Sequence, residues 1–145
     1  MPVEKTILPD HRMVYSRWSK EILAEDIVEA EISYPAMKGY APDQLYIVDL
    51  RQVEGAEIEF TEIDSILNLV RQRRAAASPL GANAIKAVVL APDDLTFGMT
   101  RQFQAVAETR GGVSIRIYRD EADLTSDIGQ PGQTLQGLVQ PAVLH

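Results

Sequence analysis

Two groups of residues have the types and spacing to do chemistry, and each sits where an apolar run gives way to a polar loop. Asp49 and Arg51 follow Leu45-Tyr46-Ile47-Val48; Asp93, Asp94, Thr96, Gly98 and Arg101 follow Val88-Val89-Leu90. The second group opens a predicted helix. Free amides at a helix start attract anions, a glycine there lets a ligand approach the backbone, and Arg101 one turn in can add a bidentate contact. A structural reading stands beside it: Thr96 as helix cap, Gly98 as relief of packing against a sheet, Arg101 as partner of Asp49 or Asp94. Phosphate loops need several glycines at fixed spacing, and here there is one.

Other chemistry finds less support. Glu54, Glu57, Glu59, Glu62 and Asp64 form a carboxylate run beside a helix start, the pattern of a solvated face that favours the helix dipole. His11 lies in a predicted turn and His145 at the end of the sequence, neither near a hydroxyl or carboxylate partner in sequence. There is no Gly-x-Ser-x-Gly elbow, no His-x-x-x-His pair and no cysteine, so a thiolate nucleophile and a cysteine-ligated zinc are excluded. An enzyme would have to be built on Arg101 with Asp49 or Asp93. Arg71, Arg73 and Arg74 are the one dense basic cluster, read as decoration of a helix end.

The elements that must position these residues follow from periodicity. Val3 to Leu8 and Met13 to Trp18 are rich in strand formers around the turn Pro9-Asp10-His11, predicting a hairpin. Leu23, Ile27, Ala30 and Tyr34 share one face of a first helix that Pro35 ends. Gln44 to Leu50 has the near-continuous apolar character of a central strand, and Glu54 to Glu59 reads as an acidic link. Thr61, with Asp64 three residues on, predicts the cap of a second helix burying Ile63, Ile66, Leu67 and Val70 and stopped by Ser78-Pro79-Leu80-Gly81. Ala84 to Leu90 repeats the buried-strand signature. A third helix from about Thr96 buries Met99, Phe103 and Val106 and ends at Gly111-Gly112, alternation over Val113 to Tyr118 gives a last strand, and Asp120 to Asp127 a short helix.

The fold class is therefore α/β: a single five-stranded, mostly parallel sheet with an N-terminal antiparallel hairpin edge and about four helices. Residues 1–128 form one domain. Gly129 to His145, with three glycines, two prolines and four glutamines, is a tail expected to dock on the domain or on a neighbouring subunit. The length of 145 residues suits one domain with a sizeable core. No apolar run approaches the roughly 20 residues of a membrane span. The formal charge of −7 makes phosphate-backbone binding unfavourable, so nucleic acid is not an expected partner.

The strand ending Val48-Asp49-Leu50-Arg51-Gln52-Val53, the segment Leu95-Thr96-Phe97-Gly98-Met99-Thr100-Arg101-Gln102-Phe103 and the later Ile115-Arg116-Ile117-Tyr118-Arg119-Asp120 carry a resemblance. Together with the element order, they resemble bacterial STAS-like proteins of the SpoIIAA-like superfamily over Val3 to Asp127. That superfamily includes anti-sigma factor antagonists, small cytoplasmic proteins that bind a partner kinase and are switched by phosphorylation of a serine after the third strand. It also includes a large uncharacterised branch, which Phe97-Gly98 to Arg101 resembles more. Here no serine stands at the switch. Thr61 is nearest to that position, and Glu57, Glu59, Glu62 and Asp64 would repel an added phosphate, so the phosphosite is not carried over.

The resemblance implies a cytoplasmic, non-enzymatic regulatory or protein-interaction module without a cofactor, whose partner is another protein or a second copy in a homodimer. The alternative is a protein that binds a small ligand, either an anion at Gly98 and Arg101 or an apolar, lipid-like molecule under the first helix.

Overall fold

The computed structural model describes residues 2–77 and 85–140, with residues 9 and 73–77 in backbone only. Five strands, β1 (Val3–Leu8), β2 (Met13–Leu23), β3 (Leu45–Glu57), β4 (Ile85–Leu90) and β5 (Val113–Tyr118), lie side by side in chain order. The first pair is antiparallel and the rest parallel. Each parallel step is bridged by a helix: α1 (Ala24–Ser33), α2 (Phe60–Ala77) and α3 (Asp94–Arg110). Short helices α4 (Glu121–Asp127) and α5 (Leu135–Val139) follow. The α/β class, antiparallel edge and five-strand count match the sequence reading, with α5 an addition to it.

Because every crossover steps in the same direction and is right-handed, all three long helices fall on one face of the sheet. There Ile27, Ile63, Ile66, Leu67, Phe103 and Val106 pack on Trp18, Ile22, Leu50, Val53 and Val89. The next residue along a strand points the other way: Ile47, Val88 and Leu90 meet Leu124 of α4 and Leu135 and Leu138 of α5. Each buried aliphatic side chain contributes about 1.5–3 kcal/mol of transfer free energy, so the thick α1–α3 layer dominates. The second face is only partly covered. Strand order never reverses, so the sheet has no topological switch point at which connections diverge.

Several boundaries differ from expectation. Far from forming a link, Glu54 to Glu57 continue β3, and β2 runs past Trp18 to pair Leu23 with Glu57. Charged side chains on the wet face hid this extension. Leu23 precedes α1 rather than lying on its buried face; the interior position on that helix is taken by Glu31. Thr61 is not a cap: α2 opens at Phe60, and the Glu59 amide donates to Glu62 Oε1 at 2.8 Å, while Asp64 turns to Arg110 at 3.1 Å. Thr96 is not a cap either. Asp93 caps α3, its carboxylate accepting from the Thr96 amide at 2.8 Å and from Thr96 Oγ1 at 2.9 Å. The helix stop at Ser78 to Gly81 lies outside the described residues, as do Ala84 and residues 141–145.

Candidate functional site

Asp49 stands on the open face of β3, two residues after buried Ile47, and is itself only 3 % exposed. A carboxylate taken out of water must be paired and hydrogen-bonded. Arg51, two residues on and so on the same face, donates from Nε to Asp49 Oδ1 at 3.0 Å and from Nη2 to Oδ2 at 2.8 Å. Tyr15 of β2 donates its hydroxyl to Oδ2 at 2.6 Å. Arg51 Nη1 also reaches Glu121 at the start of α4, at 3.0 Å. Burial opposes ionisation of Asp49, yet the hydrogen bonds from Arg51 and Tyr15 outweigh it and hold the carboxyl below its ordinary value. Burial, reinforced by the carboxylate, pushes the Tyr15 hydroxyl well up. The bond to Asp49 raises the Arg51 guanidinium further, so this cation stays charged at every accessible pH.

Tyr15, Asp49 and Arg51 form the floor of a trough of about 840 Å³, walled by Glu4 and Thr6 of β1, by the outer parts of β2 and β3, and by Gln136, Val139 and Gln140 of α5. Two irregularities shape it. Between Arg17 and Ser19 β2 advances two residues while β3 advances three, from Asp49 to Gln52; a second extra β3 residue falls opposite Lys20 and Glu21. Such bulges re-aim side chains. Here the first brings Gln52 to the same face as Arg51.

The second predicted group is gathered by the start of α3. Asp93 is spent on capping, and its carboxyl is held low by the Thr96 amide and hydroxyl. Asp94 receives Arg119 Nη2 at 3.1 Å, and the same guanidinium lies 4.2 Å from the centre of the Phe97 ring and donates to the Pro92 carbonyl at 3.3 Å. Thr96 is buried. Gly98 faces open space, so the expectation that it relieves packing against the sheet is corrected. Arg101 is exposed and donates to Gln104 at 3.2 Å; it pairs with neither Asp49 nor Asp94, whose arginines are Arg51 and Arg119. The geometry thus unites Asp49 with Arg51, unites Asp93, Asp94 and Thr96, and leaves Gly98 and Arg101 apart. Tyr15, Glu121 and Arg119 were missed because their partners lie far away in sequence. Thr61 is exposed at the first turn of α2, its carbonyl accepting from Ser65.

A second space lies inside the α1–α3 layer. It measures about 90 Å³ and is walled by Trp18, Val48, Leu67, Val89, Met99 and Phe103, with Glu31 at its margin. Glu31 is buried against Lys5 at 2.9 Å and accepts from the Tyr46 hydroxyl at 3.1 Å; the Lys5 ammonium lies about 5 Å from the Tyr34 and Tyr46 ring centres. Among the described residues no group of three or more acidic or histidine side chains could hold a metal ion. No described helix is long and apolar enough to cross a membrane.

No protein-family model matches the chain, and no curated protein does. Among solved structures, an uncharacterised protein of the DUF3478 family with a SpoIIAA-like fold, from Shewanella loihica PV-4, superposes with a TM-score of 0.50 over 87 % of this chain and 91 % of its own, at 13 % identity. The architecture is an α/β domain with one mixed five-stranded sheet. Its fold is SpoIIAA-like, as the sequence resemblance implied.

Proposed function

We propose that the protein is a non-enzymatic regulatory or protein-interaction module of STAS-like fold, and that the far end of its β2–β3 arm is the recognition element. β1 pairs with β2 only as far as Trp18, and β4 pairs with β3 only as far as Asp49. Beyond those points, apart from the Ser19 amide donating to the Pro2 carbonyl at 2.8 Å, Ser19 to Leu23 and Gln52 to Glu57 pair, among the described residues, with each other alone. One observation carries the reading: at the end of this arm Leu23 is 41 % exposed and Phe60, three residues past Glu57, is 68 % exposed. Two large apolar side chains at the end of a two-stranded ribbon suit burial against a partner protein. A second copy of this chain is the first partner to test. Light scattering on the full chain should give a dimer, and Leu23→Asp with Phe60→Asp should give a folded monomer; a monomeric wild-type protein at every concentration overturns self-association.

The 90 Å³ cavity favours a second reading, a small apolar ligand held beneath the helices. An engineered apolar cavity of roughly 150 Å³ stays dry and binds benzene, so this space suits a smaller guest, and a lipid chain would require the helices to part. Binding to the native state must raise the melting temperature. Benzene and octanoate are the probes for a thermal-shift comparison, and no rise with either removes this reading.

A further inference from the structure

Three cations, Arg17, Lys20 and Arg51, and three anions, Glu4, Asp49 and Glu54, line the trough over β1–β3. Four of the six are satisfied within the protein. Arg17 holds Glu4 at 2.9 Å and Arg51 holds Asp49 at 2.8 Å. Lys20 and Glu54 make no ion pair among the described residues, although the register places them on neighbouring strands, Lys20 opposite Val53.

The placement of Lys20 is enforced. Along β2, Trp18 and Ile22 are buried beneath the helices, while Tyr15, Arg17 and Ser19 face the trough. Simple alternation would send Lys20 into the core between Trp18 and Ile22. It does not go there, because its backbone is left-handed, with φ 63°. That conformation is uncommon outside glycine, asparagine and aspartate and strains the chain by about 1–2 kcal/mol. The result, among the described residues, is an ammonium and a carboxylate on neighbouring strands that each make no ion pair, in a trough that Ser19, Gln52, Gln136 and Gln140 also line with neutral donors and acceptors.

We propose that this trough binds a small zwitterion of the amino-acid or short-peptide class, its carboxylate on Lys20 and its ammonium on Glu54. Charge decides against a simple anion. The lining sums to zero, and a protein of net charge −7 repels anions within the Debye length of about 10 Å. A zwitterion meets one unspent charge of each sign and leaves the existing pairs intact. The volume, within the usual range of about 300–1,000 Å³ for ligand sites, admits several residues of peptide. The site lies at the base of the arm, on Ser19, Lys20, Gln52 and Glu54 rather than on Leu23 and Phe60 at its tip, and does not depend on the reading given to that tip.

The test is an NMR titration of the isotope-labelled full chain with triglycine, with its N-acetylated, C-amidated form, and with inorganic phosphate. Triglycine is expected to shift Ser19, Gln52, Gln136 and Gln140 saturably and the blocked peptide to bind at least tenfold more weakly. Lys20→Gln and Glu54→Gln should each weaken triglycine at least tenfold while keeping the wild-type spectrum elsewhere. Having two variants guards against one that fails to fold. No saturable shift with triglycine, equal binding of the blocked peptide, unchanged affinity in a folded variant, or phosphate outcompeting triglycine overturns the proposal.

Discussion

At the scale of single residues, the Tyr15–Asp49–Arg51–Glu121 chain fixes the trough floor, and its stability should carry an acid signature. Replacing Asp49 by Asn leaves the Arg51 guanidinium without its carboxylate, and we expect a loss of about 2 kcal/mol at neutral pH, moderated because Arg51 is partly in water. The Asp49 carboxyl titrates below its ordinary value in the folded protein, so the unfolded chain takes up the proton more readily as pH falls. The stabilisation is therefore complete above the unfolded value of about 4 and disappears as pH drops through the lower folded value. Urea unfolding of wild type and Asp49→Asn should show a midpoint gap that is widest near neutrality and closes in acid. A gap independent of pH would assign the loss to packing. The sequence singled out Asp49 and Arg51 because they end an apolar run, but offered Arg101 as the partner of Asp49; lying two apart on one strand face, Arg51 takes it instead. The sequence could not reveal Tyr15 or Glu121, which reach this pair through the register of β2 and the seat of α4.

At the scale of elements, the apolar stripes were readable and the irregular ends were not. Ile63, Ile66, Leu67 and Val70 are buried as their spacing dictates, and the strand runs of β4 and β5 stand where a near-continuous apolar run and alternation, respectively, put them. The bulged half of β3 reads as a polar link because extra residues break period-two alternation; α3 begins two residues before Thr96, so its cap is Asp93, and at α2 the acid Glu62 binds the Glu59 amide ahead of the helix. Backbone handedness offers a direct check. Lys20→Gly should relieve left-handed strain and raise stability by up to about 1 kcal/mol, whereas Gly39→Ala, at φ 91° with Ile7 Cγ2 only 3.3 Å from the added methyl, should lower it by about 1–3 kcal/mol. Opposite shifts in the denaturation midpoint are the expected result; a destabilised Lys20→Gly would mean that the ammonium itself contributes more than its backbone strain takes away. The α3 cap belongs to the same level: Asp93→Ala should cost about 1 kcal/mol, and Thr96→Val should also destabilise by leaving the Asp93 carboxylate one donor short.

At the scale of the whole molecule, the two faces of the sheet are unequally closed, and the C-terminal segment decides how far the thin face is closed at all. Its sequence, glutamine-rich with glycine and proline, hides a five-residue helix whose only apolar signal is Leu135, Leu138 and Val139. Thr134 caps it, accepting from the Gly137 amide at 3.0 Å, and Leu135 and Leu138 complete the cluster with Leu8, Met13, Ile47 and Leu124. So short a helix has no independent stability. What holds it is burial of two leucines against β1, β2 and β3, and in return it supplies one wall of the trough. Leu135→Ala should then behave as a core substitution, lowering global stability by about 2–4 kcal/mol, and should also disturb the trough by loosening Gln136 and Gln140. Urea denaturation with amide exchange read at Gln136 and Ile47 separates the possibilities. Loss of protection at both residues marks α5 as part of the cooperative core. Loss confined to Gln136, with the midpoint unchanged, would make α5 a latch that opens independently, leaving the trough exposed in an otherwise native protein.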